Sequence, residues 1–113
     1  KSLGSGDVQS SAAGLLSVSS SREYKENMST IPSALDKVML LDGIYYDWKE
    51  ELQEDMGSER AMGFIAEDVK EVIPEATGED SKGNASMYYG RMTALLVNAV
   101  KELKQEVEAL KSN

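Results

Sequence analysis

Residues 92–110, MTALLVNAVKELKQEVEAL, decide how the rest of the chain is read. The stretch holds neither Gly nor Pro, and Leu96, Leu103 and Leu110 stand seven apart. Thr93, Val100 and Val107 form a second series seven apart, each three residues before a leucine. Apolar residues alternating three and four apart make a single stripe on a helix. A stripe kept in step over about two and a half heptads suits a coiled coil. The expected helix covers 90–112, with a seam of Leu96, Val100, Leu103, Val107 and Leu110. After Lys101 the stripe becomes narrow, which suits a helix partner better than a globular core. Glu106 falls at a g position and Lys111 at the following e, where opposite charges bridge neighbouring helices. Val at a with Leu at d leans towards two strands in parallel systems, so this pattern alone does not give three.

Working back from that helix, Met87-Tyr88-Tyr89 reads as a last extended piece, and residues 76–86, ATGEDSKGNAS, as a turn containing Gly. Ile65, Val69, Val72 and Ile73 recur at i, i+4, i+7 and i+8, which predicts a short amphipathic helix from about 66 that Pro74 ends. Residues 61–65, AMGFI, predict a strand pairing with 44–48, IYYDW, where Ile44, Tyr46 and Trp48 share a face. The charged stretch 49–60 between them predicts a solvated turn or hairpin tip. Leu35, Val38 and Met39 predict a helix over 33–41, capped by Ser29 or Thr30 with Pro32 in its first turn and ended by Gly43. The fold class expected is α+β: a small mixed domain of short β-hairpins and helices ending in a long helix. Trp48, Phe64 and the Tyr pairs are expected in the core or at an interface between chains.

Residues 1–19, KSLGSGDVQSSAAGLLSVS, show no helical period. They suit either a flexible linker or a strand that pairs only inside an oligomer. The start carries no signal-peptide core and is expected to be the interior of a longer protein.

Composition narrows the function. The 113 residues bound the chain to one modest domain with a thin core. Twenty acidic against 12 basic residues give a net charge of −8, which argues against nucleic acid or an anionic membrane surface as a partner. With no His and no Cys, histidine catalysis, the usual zinc sites and disulfides are excluded. No apolar run approaches the about 20 residues of a membrane span. The acidic run of Glu50, Glu51, Glu54 and Asp55 lacks the glycine and spacing of a calcium loop, and Glu79-Asp80 reads as a turn. No metal, cofactor or small-molecule substrate is expected.

A Ser activated by a Lys is one of the few nucleophile–base pairs left. Residues 19–27, SSSREYKEN, sit where the Ser-rich segment meets the charged, aromatic part of the chain. A solvated lysine titrates at about 10.4, so a lysine base needs burial or a neighbouring cation, and Arg22 is a candidate for the latter.

Ser20-Ser21-Arg22-Glu23-Tyr24-Lys25-Glu26-Asn27 resembles the opening motif of the intramolecular chaperone domains that end phage endosialidases, tail spikes and tail fibres. The same domain type occurs in membrane-bound transcription factors. The resemblance continues in order through Ala34-Leu35-Asp36-Lys37-Val38, Leu41 and Gly43; Tyr46-Asp47-Trp48-Lys49; Gly63-Phe64-Ile65-Ala66-Glu67-Asp68-Val69 with Pro74-Glu75; and Tyr89, Arg91, Thr93–Val97 and Ala99–Leu103. It covers about 20–113. One departure is Ser21, which stands where an acidic residue is usual.

The resemblance implies a homotrimer that folds the fibre preceding it and then releases itself by autoproteolysis. It implies residues 1–19 as the end of the upstream fibre, residues 20–113 as the chaperone domain, and a cut between Ser19 and Ser20. Ser20 would be the nucleophile and Lys25 the general base, with Asn27 a candidate orienting or oxyanion-binding group; Ser21 is the neighbouring candidate nucleophile. The implied partners are two further copies and the chain's own upstream fibre. Assembly is expected in the host cytoplasm, with the mature fibre on the virion tail. Two alternatives stand beside this: a trimerisation module without chemistry, and the homologous domain of a membrane-bound transcription factor.

Overall fold

The computed structural model describes residues 20–112. They belong to two units, one ending at Thr30 and one starting at Ile31. The expectations for residues 1–19, and for Ser19 as one side of a cut, lie outside the described residues.

The described part of the first unit, Ser20 to Thr30, is exposed throughout and holds one turn of 3-10 helix, Arg22–Tyr24. The second unit runs α1 (Ala34–Val38), β1 (Ile44–Tyr46), α2 (Gln53–Met56), β2 (Ala61–Gly63), α3 (Ala66–Val72), β3 (Thr77–Glu79), β4 (Ala85–Met87) and α4 (Tyr89–Lys111). Single 3-10 turns, Glu50–Leu52 and Pro74–Ala76, lead into α2 and β3. The result is the mixed α+β domain expected, ending in a long helix.

β1 and β2 pair antiparallel, with Ile44 opposite Gly63, Tyr45 opposite Met62 and Tyr46 opposite Ala61. The expected pairing is present, though each strand is only three residues long. Ile44, Tyr46 and Trp48 are the half-buried positions and Tyr45 is exposed, as the alternation required. Trp48 lies beyond β1 and sets its ring edge-on to Tyr46, centroids 5.2 Å apart and planes at 86°. Arg60 bonds Asp47 across the hairpin at 3.2 Å, an exposed pair contributing at most about 1 kcal/mol. Residues 49–60 are more ordered than a plain turn, because they wind into the 3-10 turn and α2.

The stretch 76–86, expected as one turn, is mostly a second hairpin. Thr77 pairs with Met87, Gly78 with Ser86 and Glu79 with Ala85. Asp80 makes the connection: its Oδ1 accepts the N–H groups of Lys82 and Asn84 at 2.9 Å each, and Gly83 takes φ +82°. The extended piece at 87–89 is correspondingly shorter, since Tyr89 already belongs to α4. The Tyr88 side chain packs against Gly78, and Arg91 sits over the Tyr88 ring at 4.6 Å. A methyl group at Gly78 would meet the Tyr88 hydroxyl at 2.6 Å and ring carbons at 2.8 and 2.9 Å. Gly78→Ala is therefore expected to destabilise the domain by about 1–3 kcal/mol, read as a lower urea midpoint.

The first helix also differs from expectation. It covers Ala34–Val38 rather than 33–41, and Ser29 and Thr30 do not cap it. The N-cap is Ser33, held at φ +53° with no side-chain hydrogen bond of its own to the helix. The cap comes from α4, 68 residues further on: the two carboxylate oxygens of Glu102 accept the N–H groups of Ala34 and Leu35, each at 2.9 Å. These are two of the donors a helix start leaves without partners. The Leu35 N–H and then the Ala34 N–H hold the Glu102 carboxyl below its ordinary 4.5; partial burial opposes them and Lys37 adds to them. A carboxyl depressed in the folded state stabilises the fold above its unfolded pKa. That contribution is lost as pH falls through the lower folded value. Glu102→Gln, with one acceptor oxygen in place of two, should lower the melting temperature at neutral pH. The gap from wild type should close in acid well below 4.5. An unchanged gap in thermal melts across that range would remove the carboxylate's role.

The core is small, as the length required: Ala34, Val69, Ile73, Ala76, Met92, Leu95 and Ala99, with Leu35, Val38, Leu41, Phe64 and Met87 packed on it. α3 contributes Val69 to it and Ile73, the residue that caps its end, adds to it, while Ile65, placed on the same face by the sequence pattern, is exposed. α4 divides its surface. Met92, Leu95, Ala99 and Glu102 face α1 and the core, while Leu96, Val100, Leu103, Val107 and Leu110 are 41–75% exposed. At 100° per residue the centres of the two stripes lie ~80° apart, so one helix can serve both at once. Beyond Glu102 the helix is exposed on every side. No helix among the described residues is long and apolar enough to cross a membrane.

Candidate functional site

The chemistry-bearing residues sit in the first unit. Ser21 is extended, with φ −65° and ψ 146°, and acts as N-cap of the 3-10 turn: its Oγ accepts the Glu23 N–H at 3.1 Å. Its carbonyl accepts the Tyr24 N–H at 3.1 Å, and the Arg22 carbonyl accepts the Lys25 N–H at the same distance. Lys25 closes the turn and returns to extended backbone, φ −127° and ψ 148°. A single tight turn thus separates Ser20 from Lys25. The ammonium of Lys25 donates to Ser20 Oγ at 2.9 Å.

The pair named from the sequence is therefore brought within hydrogen-bond distance. Ser21 is turned to a different task, since its hydroxyl is held by the backbone of the turn. Asn27 adopts the left-handed conformation, φ +57°, which asparagine tolerates better than most residues. Among the described residues no hydrogen bond joins Asn27 to Ser20 or Lys25. Ser20, Lys25 and Asn27 are all exposed.

A serine–lysine contact of this length has a defined chemical use. A neutral amine can take the hydroxyl proton while the oxygen attacks an adjacent carbonyl. With the amine as donor, as here, the lysine orients the hydroxyl but does not activate it. Activation requires the amine to lose its charge, which burial or a neighbouring cation promotes.

Sequence reasoning missed two residues. The cap by Ser21 was hidden by its place in a run of three serines. Glu102 carried a usable signal: a carboxylate in register with Met92, Leu95 and Ala99 needs a partner on the core side.

Comparison with known proteins gives the family. The chain is 41% identical over 92 residues to the long tail fiber protein Gp37 of Enterobacteria phage K3, and equally to that of Enterobacteria phage T2. The alignments cover 78% of this chain and 7% of each relative. The corresponding protein of Enterobacteria phage M1 is 29% identical over 82 residues, covering 70% of this chain and 33% of the relative. The chain thus spans a small part of the curated relatives it matches. A peptidase family described as the chaperone of endosialidase matches residues 20–78, from the candidate serine through both hairpin-forming strands of the first sheet and into β3. The chain belongs to the chaperone-of-endosialidase family.

Proposed function

We propose that this chain is the intramolecular chaperone at the end of a phage tail fibre, and that it trimerises and then cuts itself free between Ser19 and Ser20. The observation that carries the cut is the 2.9 Å contact between Lys25 Nζ and Ser20 Oγ. The tail-fibre relatives and a family match that begins at Ser20 support the setting. The exposed stripe on α4 supports assembly, and the resemblance supplies three as the number of chains.

The reaction needs no group beyond the chain and water. Lys25, once neutral, accepts the Ser20 Oγ proton as that oxygen attacks the Ser19 carbonyl carbon. The tetrahedral intermediate collapses by breaking the Ser19–Ser20 C–N bond, and the Ser20 nitrogen leaves with the proton returned by Lys25. An ester now joins the Ser19 carbonyl to Ser20 Oγ. Water hydrolyses it to a Ser19 carboxylate, and the Ser20 hydroxyl is restored. The oxyanion needs donors, for which Asn27 and backbone N–H groups are the candidates.

Lys25 is exposed in a single chain. Burial against neighbouring chains would favour its neutral form, so cutting would wait for assembly. Release would then trap the fibre kinetically, because its folding template is gone. On this reading assembly takes place in the host cytoplasm and the mature fibre resides on the virion tail.

That same exposure favours a second reading, a trimerisation module without chemistry. A denaturing gel of the folded assembly with N-terminal sequencing of the smaller product separates them. A fragment starting at Ser20 supports the cut, and one full-length band at long times leaves the module alone.

A further inference from the structure

We infer that Ser21 is a positioning residue for the cut: its hydroxyl caps the turn that folds Lys25 back onto Ser20. The inference rests on the Ser20–Lys25 reading and assigns Ser21 a role apart from the nucleophile's.

The distances set the requirement. Five residues of extended chain span about 17 Å. That is further than a lysine side chain and a serine hydroxymethyl can bridge. A 3-10 turn rises only about 2 Å per residue. One such turn, Arg22–Tyr24, lies between the two groups and shortens the path enough for a 2.9 Å contact. The turn is held by three bonds, all at 3.1 Å: Tyr24 N–H to the Ser21 carbonyl, Lys25 N–H to the Arg22 carbonyl, and Glu23 N–H to Ser21 Oγ. Ser21 supplies the acceptor in two of the three. Its side chain supplies the one that a substitution can remove.

A lone turn of 3-10 helix is marginal without such help, because few bonds oppose the entropy of fixing it. The turn lies in an exposed segment, and among the described residues 20–30 no buried side chain holds it in place. Loss of the cap lets the turn open, and Lys25 then spends less of its time at Ser20.

The test compares wild type, Ser21→Ala, Ser21→Asn and Ser20→Ala in the full chain. Cutting rate is read by quenched gel, and oligomeric state by sedimentation. A capping serine replaced by alanine loses stability equivalent to about a fivefold change in population. Ser21→Ala should therefore cut about fivefold more slowly, at the same bond and in the same oligomer. Asparagine caps about as well as serine, is uncharged and has no nucleophilic hydroxyl, so Ser21→Asn should restore the rate to within about twofold of wild type. Ser21→Ala cutting at the wild-type rate overturns the inference, as does Ser21→Asn cutting no faster than Ser21→Ala. Loss of cutting in Ser21→Asn with Ser20→Ala still active makes Ser21 the nucleophile instead. A wild-type chain that stays whole removes the underlying reading, and the inference with it; no lane then shows a fragment.

Discussion

Lys25→Ala should slow the proposed cutting at Ser19–Ser20 by about 10²–10⁴-fold, the usual worth of a general base, and Lys25→Arg should do no better. Arginine is the informative substitution. It keeps the positive charge and can still donate to Ser20 Oγ, the interaction seen at 2.9 Å. It cannot give up its proton in a protein, so it cannot accept one from the hydroxyl. If Lys25 only oriented Ser20, arginine would preserve much of the rate. If Lys25 takes the proton, arginine fails as alanine does. Ser20→Ala removes the attacking oxygen and should leave the chain whole. The measurement is the appearance of the fragment beginning at Ser20, in assemblies shown by sedimentation to match wild type. Lys25→Arg cutting at the wild-type rate would end the general-base role while leaving Ser20 as nucleophile.

The parts of this molecule that could be read from sequence are those whose order is local. The alternation through Ile44, Tyr46 and Trp48 gave a face, and the β1–β2 pairing follows from it. The i, i+4 spacing from Ile65 marked α3, although Ile65 itself ends up exposed at the helix start. The second hairpin was not legible, because Thr77-Gly78-Glu79 and Ala85-Ser86-Met87 lack β-branched alternation. Those strands are short and depend on the Asp80 turn and on Tyr88 covering Gly78. At α1 the local signal was misleading. Ser29, Thr30 and Pro32 look like a helix start, but the donors are met by Glu102 from 68 residues away. α4 begins at Tyr89 and runs through Gly90, which by propensity opposes a helix. Of the candidate site, the Ser20–Lys25 pair was named by resemblance. The turn that unites them could not be inferred from a Ser-rich stretch without periodicity.

Leu103→Asp should convert the assembly to monomers at micromolar concentration and abolish cutting, while leaving the domain folded. The domain survives because Leu103 belongs to the outer stripe of α4. It is 49% exposed, whereas the helix holds its own core through Met92, Leu95 and Ala99. The assembly fails for two reasons. Each buried leucine in a seam contributes about 1.5–3 kcal/mol, which is lost. In a trimer, three carboxylates would also meet at one level of the seam, where like-charge repulsion and loss of hydration are strongly destabilising. Lys101→Asp, off both stripes and exposed, makes a larger change of charge, from +1 to −1 against 0 to −1, and should still leave the oligomer intact. Sedimentation reads the oligomer, circular dichroism checks the fold, and the gel reads the cut. A Leu103→Asp chain that sediments like wild type would show that this stripe is not the seam. A folded monomer that still releases a fragment beginning at Ser20 would show that Lys25 reaches its active form within one chain, and cutting would no longer depend on assembly. A silent monomer would tie the chemistry of Ser20 to the packing of a helix whose nearest seam residue lies far along the sequence, and that dependence would let a self-cutting chain wait until its fibre is made.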